Sequence, residues 1–183
     1  MRDRGYSYWR RAHQLPGVQR CLHHGVPLLS TSGQAAFDDM PSSLLDVSTA
    51  SPEGIDYCEH PLAVRFRDTV QAMLAAGRSW PAKSVRAGLL TVADELQLRL
   101  SPPGRRTLLS DLAVAALPRP LLHELVPEAI EKERGQYLNA IDGALAIQGG
   151  TSVSLAIAMT LFFPSAAEAM RACCFSSQSD LCS

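Results

Sequence analysis

Cys21 and His24 stand three residues apart, a spacing at which one tight turn can aim two ligands at a single tetrahedral ion. They lie in residues 7–29, SYWRRAHQLPGVQRCLHHGVPLL, together with two further histidines (His13, His23), three arginines (Arg10, Arg11, Arg20) and two aromatics (Tyr8, Trp9). Pro16-Gly17 places a turn just ahead of the pair. Two ligands do not close a structural metal site, and a lone Cys-x-x-His also reads as a half-buried cysteine beside surface histidines. Cys21 with His23 and His24 has the residue types of a Cys-His nucleophile as well. No oxyanion-hole turn or ordering acid accompanies that pair.

The remaining candidates for chemistry are weak. No phosphate-binding glycine loop precedes a helix, so nucleotide hydrolysis has no support. The acidic residues form no pattern of a catalytic metal triad. Glu131 and Glu133 flank Lys132 in a helical pattern and read as a solvated face; Asp94, Glu95 and Glu128 read the same way.

Charge points in one direction. Over the 183 residues the net charge is only −1. Residues 1–24, however, hold Arg2, Arg4, Arg10, Arg11 and Arg20 against Asp3 alone, while residues 25–61 hold acids and no Lys or Arg. A basic end on a near-neutral protein fits local contact with an anion such as DNA. Arg10 and Arg11, beside Trp9 and close to the Cys-His turn, are the candidates for phosphate or base contacts; a solvated arginine-rich terminus is the alternative. Trp9 with Leu15 suits a small core supporting the turn.

The elements that must position these residues are helical. Residues 30–61 are rich in Ser, Thr, Asp and Pro and read as a linker between the segment 1–29 and a helical region over 62–183. Pro61 suits a first helical turn, and PLAVRFRDTVQAMLAAG predicts a helix ending at Gly77. Leu89, Val92, Ala93, Leu96 and Leu100 predict a second helix, stopped by Pro102-Pro103-Gly104. RRTLLSDLAVAAL gives a third, ended by Pro118 and Pro120. The stretch 121–147 gives one or two more, breaking at Pro127. TSVSLAIAMTLFF follows the Gly149-Gly150 break, and Ser165 caps a last turn through AAEAMRACC. No strand signal stands out. The expected fold is mainly α, with short helices joined by Pro/Gly turns.

Residues 143–167 carry no charge, but Gly149-Gly150 and Pro164 interrupt them, so a buried core helix is expected rather than a bilayer span. Five scattered cysteines, two adjacent (Cys173, Cys174), make a poor disulfide framework. No signal-peptide apolar region follows the N-terminal arginines. A reducing cytoplasm is the expected setting.

The string YWRRAHQLPGVQRCLHHGVPL resembles the zinc-binding segment of the TniQ/TnsD family of transposon target-selection proteins. Tyr8, Trp9, Arg11, His13, Gln14, Leu15, Pro16, Gly17, Cys21, His24 and Gly25 stand where that family's pattern puts them, and Leu22 replaces its usual proline. The resemblance implies zinc held by Cys21 and His24. It also implies an upstream Cys-x-x-Cys pair, and no cysteine precedes Cys21 here. On that reading the zinc-knuckle segment is partial, the site is incomplete in this chain, and the sequence looks like the downstream part of a longer, N-terminally truncated protein. The later helices are similar to the family more loosely. The implied role is non-enzymatic: recognition of a DNA target or targeting complex, then recruitment of an AAA+ regulator and transposase. A degenerate remnant without binding activity and a generic α-helical interaction module are the alternatives.

Overall fold

A computed structural model describes residues 13–15, 17–21, 23–30, 49–50, 57–76, 82–98, 107–146 and 150–174. The described fold is mainly helical, with seven α-helices and two short 3-10 turns. Helix α1 spans Pro61–Ala75. Pro61 occupies its first turn, where a missing N–H costs nothing, and His60 Nδ1 accepts the Leu62 N–H at 3.3 Å. Gly77, the expected end of this helix, lies outside the described residues. Helix α2 spans Ala82–Glu95. Its inner stripe is Val85, Leu89 and Ala93, all essentially buried, spaced four apart as a helix face requires.

The expected run of α2 to Leu100 is corrected. Gln97 turns left-handed at φ +53°. Its N–H donates to Asp94 O, and the Leu98 N–H donates to Ala93 O, both at 2.9 Å. These two bonds make a Schellman cap, placed on glutamine rather than glycine. The reversal turns Leu98 into the core and leaves Leu96 half exposed. Local periodicity put Leu96 on the inner face; tertiary burial of Leu98 decides otherwise.

Helices α3 (Leu109–Ala116) and α4 (Arg119–Leu125) are separated at Leu117-Pro118. The break at Pro127 is where expected: a 3-10 turn, Pro127–Ala129, follows α4. Beyond it the sequence suggested more helix than forms. Residues 131–138 are irregular, and helix returns only as α5 (Asn139–Asp142), which runs into a 3-10 turn at Gly143–Leu145. Glu131 and Glu133 are exposed as expected, but the helix face expected for them is corrected, and so is the solvation of Lys132. Lys132 folds inward, its side chain only 2 % exposed, and pairs with Asp111 on α3.

Helix α6 (Ser152–Phe162) is central and touches α1, α2, α3, α5 and α7. Ala156 to Thr160 are buried without a gap, which explains an apolar sequence with no polar stripe. Thr151 Oγ1 caps it by accepting the Ser154 N–H at 3.1 Å. Arg65 closes the other end, donating to Thr160 O and Phe163 O at 3.3 and 3.2 Å. Helix α7 (Ala166–Cys174) begins with the expected Ser165 cap, whose Oγ accepts the Glu168 N–H at 3.2 Å. Helices α6 and α7 meet at a bend of 113°, and among the described residues no single helix is long and apolar enough to cross a membrane.

The absence of strands is also corrected, on a small scale. Leu29–Ser30 (β1) pairs antiparallel with Thr49–Ala50 (β2). Two-residue strands carry too few alternating positions to give a sequence signal.

Candidate functional site

The Cys21–His24 pair sits on a tight antiparallel hairpin. The Leu28 N–H donates to Gln19 O at 2.9 Å and the Cys21 N–H to Val26 O at 2.8 Å, with a bridge between Arg20 and Pro27. At the tip the Gly25 N–H returns to Cys21 O at 2.7 Å. That return requires Gly25 at φ +67°, where nothing crowds the missing Cβ. Backbone conformation, not space, selects glycine here.

The closed turn brings the two side chains together: Cys21 Sγ and His24 Nδ1 lie 3.3 Å apart and share a hydrogen bond. Ligands on one tetrahedral zinc, with bonds of about 2.3 Å to sulfur and 2.0–2.1 Å to nitrogen, stand roughly 3.5 Å from each other. The pair is thus close to the edge length of such a site. A metal would take the place of the shared proton, releasing it on binding. Cys21 is 3 % exposed while His24 faces solvent, and the His23 ring stacks edge-on against His24 at 4.7 Å. No group of three or more His, Cys, Asp or Glu side chains arranged for a metal occurs among the described residues. The residues present fit half of a zinc site.

The hairpin is fastened to the helices by a carboxylate that sequence reasoning missed. Glu124, on α4, accepts the Gly17 N–H at 2.9 Å and Gln19 Nε2–H at 2.8 Å. It also accepts the Tyr57 hydroxyl. Burial, then the adjacent carboxylate, pushes the Tyr57 phenol far above its ordinary pKa, so it stays a donor. Gly17 lies at φ +73°, and a Cβ there would sit 3.0 Å from Leu121 Cδ1 and 3.2 Å from Phe66 Cε1. The backbone at Gly17 thus presses onto α4 and α1, where a Cβ would be crowded and the positive φ disfavours any other residue. Glu124 has no local signature, because its partners are 67 to 107 residues away in the chain.

Cys58, next to Tyr57, is buried. Burial pushes its thiol up, against the pull of the Arg20 and Arg67 guanidiniums. Cys21 and Cys173 are buried as well. Arg10, Arg11, Tyr8 and Trp9 lie outside the described residues. No family model, no curated protein and no solved structure matches the chain.

Proposed function

We propose that this chain is a non-enzymatic DNA transposition accessory protein of the TniQ/TnsD kind, working in the cytoplasm. It recognises a DNA target or a targeting complex and recruits an AAA+ regulator and a transposase. The observation that carries this reading is the Cys21–His24 turn. The string that resembles the family's zinc segment folds, at its ligand end, into a glycine-closed turn with Sγ and Nδ1 3.3 Å apart. Cys21 and His24 supply two zinc ligands on this reading, and the site is incomplete within this chain. A thiol as covered as Cys21 suits a structural ligand better than a nucleophile that must meet a substrate. Zinc, when bound, would hold the turn rigid, so that neighbouring arginines meet DNA from a fixed platform.

Duplex binding tests the reading. Phosphate contacts release counterions, so affinity should fall steeply with salt, and with half a zinc site base readout should be poor. Weak binding with little sequence preference is expected, in the micromolar range or looser, on the order of 10⁻⁴–10⁻⁶ M. Replacing both Arg10 and Arg11 by Ala should weaken binding and flatten its dependence on salt, read by fluorescence anisotropy across a salt series. Equal binding by the double variant would leave these arginines a scaffolding role. No binding by either protein at low salt would favour the degenerate-remnant reading.

A further inference from the structure

The Cys21–His24 turn depends on parts of the chain that lie elsewhere. Its hairpin is short. Leu28 N–H to Gln19 O and Cys21 N–H to Val26 O join the arms, and Gly25 N–H to Cys21 O closes the tip. A two-stranded hairpin is marginally stable at best by itself in water. Here Val18 and Cys21 are buried, and the Gly17 backbone lies against Leu121 of α4 and Phe66 of α1. The hairpin therefore keeps its shape as a docked element. Whatever docks it also sets the 3.3 Å approach of Cys21 Sγ to His24 Nδ1.

Glu124 stands at that junction. Its Oε1 accepts the Gly17 N–H at 2.9 Å, and its Oε2 accepts Gln19 Nε2–H at 2.8 Å and the Tyr57 hydroxyl. Each carboxylate oxygen thus holds one residue of the arm that leads to Cys21. Gln19 is bonded twice, by its side chain to Glu124 and by its carbonyl to Leu28. Two residues on, the Cys21 N–H and carbonyl are committed to Val26 and Gly25. Hydrogen bonds therefore run without a gap from α4 to the turn. Local helix chemistry does not call for an acid at this place. Glu124 lies in the last turn of α4, where the helix dipole disfavours negative charge, and the converging donors offset that. Glu124 is otherwise exposed, so each bond contributes modestly to global stability while fixing where the hairpin sits.

We propose that Glu124 is the positioning residue of the Cys-His turn: it latches the hairpin to α4 and so presets Cys21 and His24 for a metal ion. The metal half of this rests on the function proposed above; the latch does not. By linkage, docking raises metal affinity by the same factor by which metal strengthens docking.

Cobalt titration and amide hydrogen exchange on the whole chain test the proposal. Glu124→Gln keeps the length of the side chain but turns one acceptor oxygen into a donor, so one bond to the hairpin is lost. Without metal, the Cys21 and Gly25 amides, which report closure of the turn, should exchange several-fold faster than in the parent. Affinity for Co²⁺, read from the thiolate charge-transfer band, should fall by about fivefold or more, the low end of ordinary coupling between sites. Asp142→Asn, at the junction of α3 and α5, should do the reverse: it should lower stability to urea more than Glu124→Gln does and leave cobalt affinity at the parent's value. If Glu124→Gln binds cobalt as tightly as the parent, the proposal is overturned and the zinc reading stands. Equal loss of affinity in both variants would reduce the effect to general destabilisation and overturn it as well. If the parent shows no charge-transfer band, the zinc reading fails and exchange decides the latch: faster exchange at Cys21 and Gly25 in Glu124→Gln upholds it, and unchanged exchange overturns it.

Discussion

Replacement of Lys132 by methionine is expected to lower stability by about 3–5 kcal/mol, because breaking a buried ion pair from one side strands the other charge. Lys132 Nζ donates to Asp111 Oδ1 and, at 3.0 Å, to Glu133 O. The side chains are 2 % and 9 % exposed. Methionine fills much the same volume and removes the charge, leaving the Asp111 carboxylate, among the described residues, with the N–H groups of Leu108 at 3.1 Å and Gly135 at 2.9 Å. Urea unfolding followed by far-UV circular dichroism at neutral pH reads the loss. Acid should shrink it. Burial raises the Asp111 pKa, but hydrogen bonds from Lys132, Gly135 and Leu108 outweigh that and hold it below the ordinary carboxylate value. The stability it contributes is therefore present above the unfolded-state pKa of about 4 and is lost as pH falls through the lower folded-state value. Without Lys132 the carboxyl takes up its proton at higher pH, so parent and variant converge on acidification. A variant within 1 kcal/mol of the parent at neutral pH would mean that the pair is open in solution.

Asp142→Ala is expected to cost as much by a different route. Asp142 is 2 % exposed. Its carboxylate accepts Ser110 N–H at 2.9 Å, Ser110 Oγ–H at 2.7 Å and Leu138 N–H at 2.7 Å. One side chain thus ties the first turn of α3 to the start of α5. Alanine leaves two backbone donors and a hydroxyl buried without acceptors, at about 1–3 kcal/mol per donor, or roughly 3–5 kcal/mol after the hydroxyl rotates away. Asp142→Asn should fall between, since it keeps one oxygen but turns an NH₂ toward a donor. Hydrogen exchange localises the effect: the Ser110 and Leu138 amides should lose protection before those of α6. Uniform loss across all helices would show instead that Asp142 supports global packing rather than this junction.

These two carboxylates mark the limit of what the sequence discloses. Helices α1, α6 and α7 were legible because their determinants are local: Pro61 at a first turn, an unbroken apolar run, Ser165 three residues before Glu168. The end of α2 was not, because Leu98 is drawn inward by the core and Gln97 accepts the left-handed strain. The 131–138 segment has helix-forming residues, yet Lys132 is worth more to the fold paired with Asp111, 21 residues earlier in the chain. At the candidate site the Cys-x-x-His spacing was readable as a turn, whereas Gly25 entered only through the family resemblance. Glu124 and its bonds to Gly17, Gln19 and Tyr57 were not, since they unite segments distant in the chain. Arg10 and Arg11 remain a sequence-based expectation.

The most direct test of the account is a cobalt titration of the reduced, metal-free chain, read by near-ultraviolet and visible absorption. If the Cys21–His24 turn is half of a zinc site, Co²⁺ should produce a thiolate-to-metal charge-transfer band. Binding should be weak, because two protein ligands hold a metal less firmly than four, and it should strengthen as pH rises and the proton shared by Sγ and Nδ1 is released. Purified protein should accordingly carry substoichiometric zinc. Cys21→Ser should abolish the band and Cys58→Ser should leave it intact. Absence of the band in the parent, or its survival in Cys21→Ser, would contradict the account.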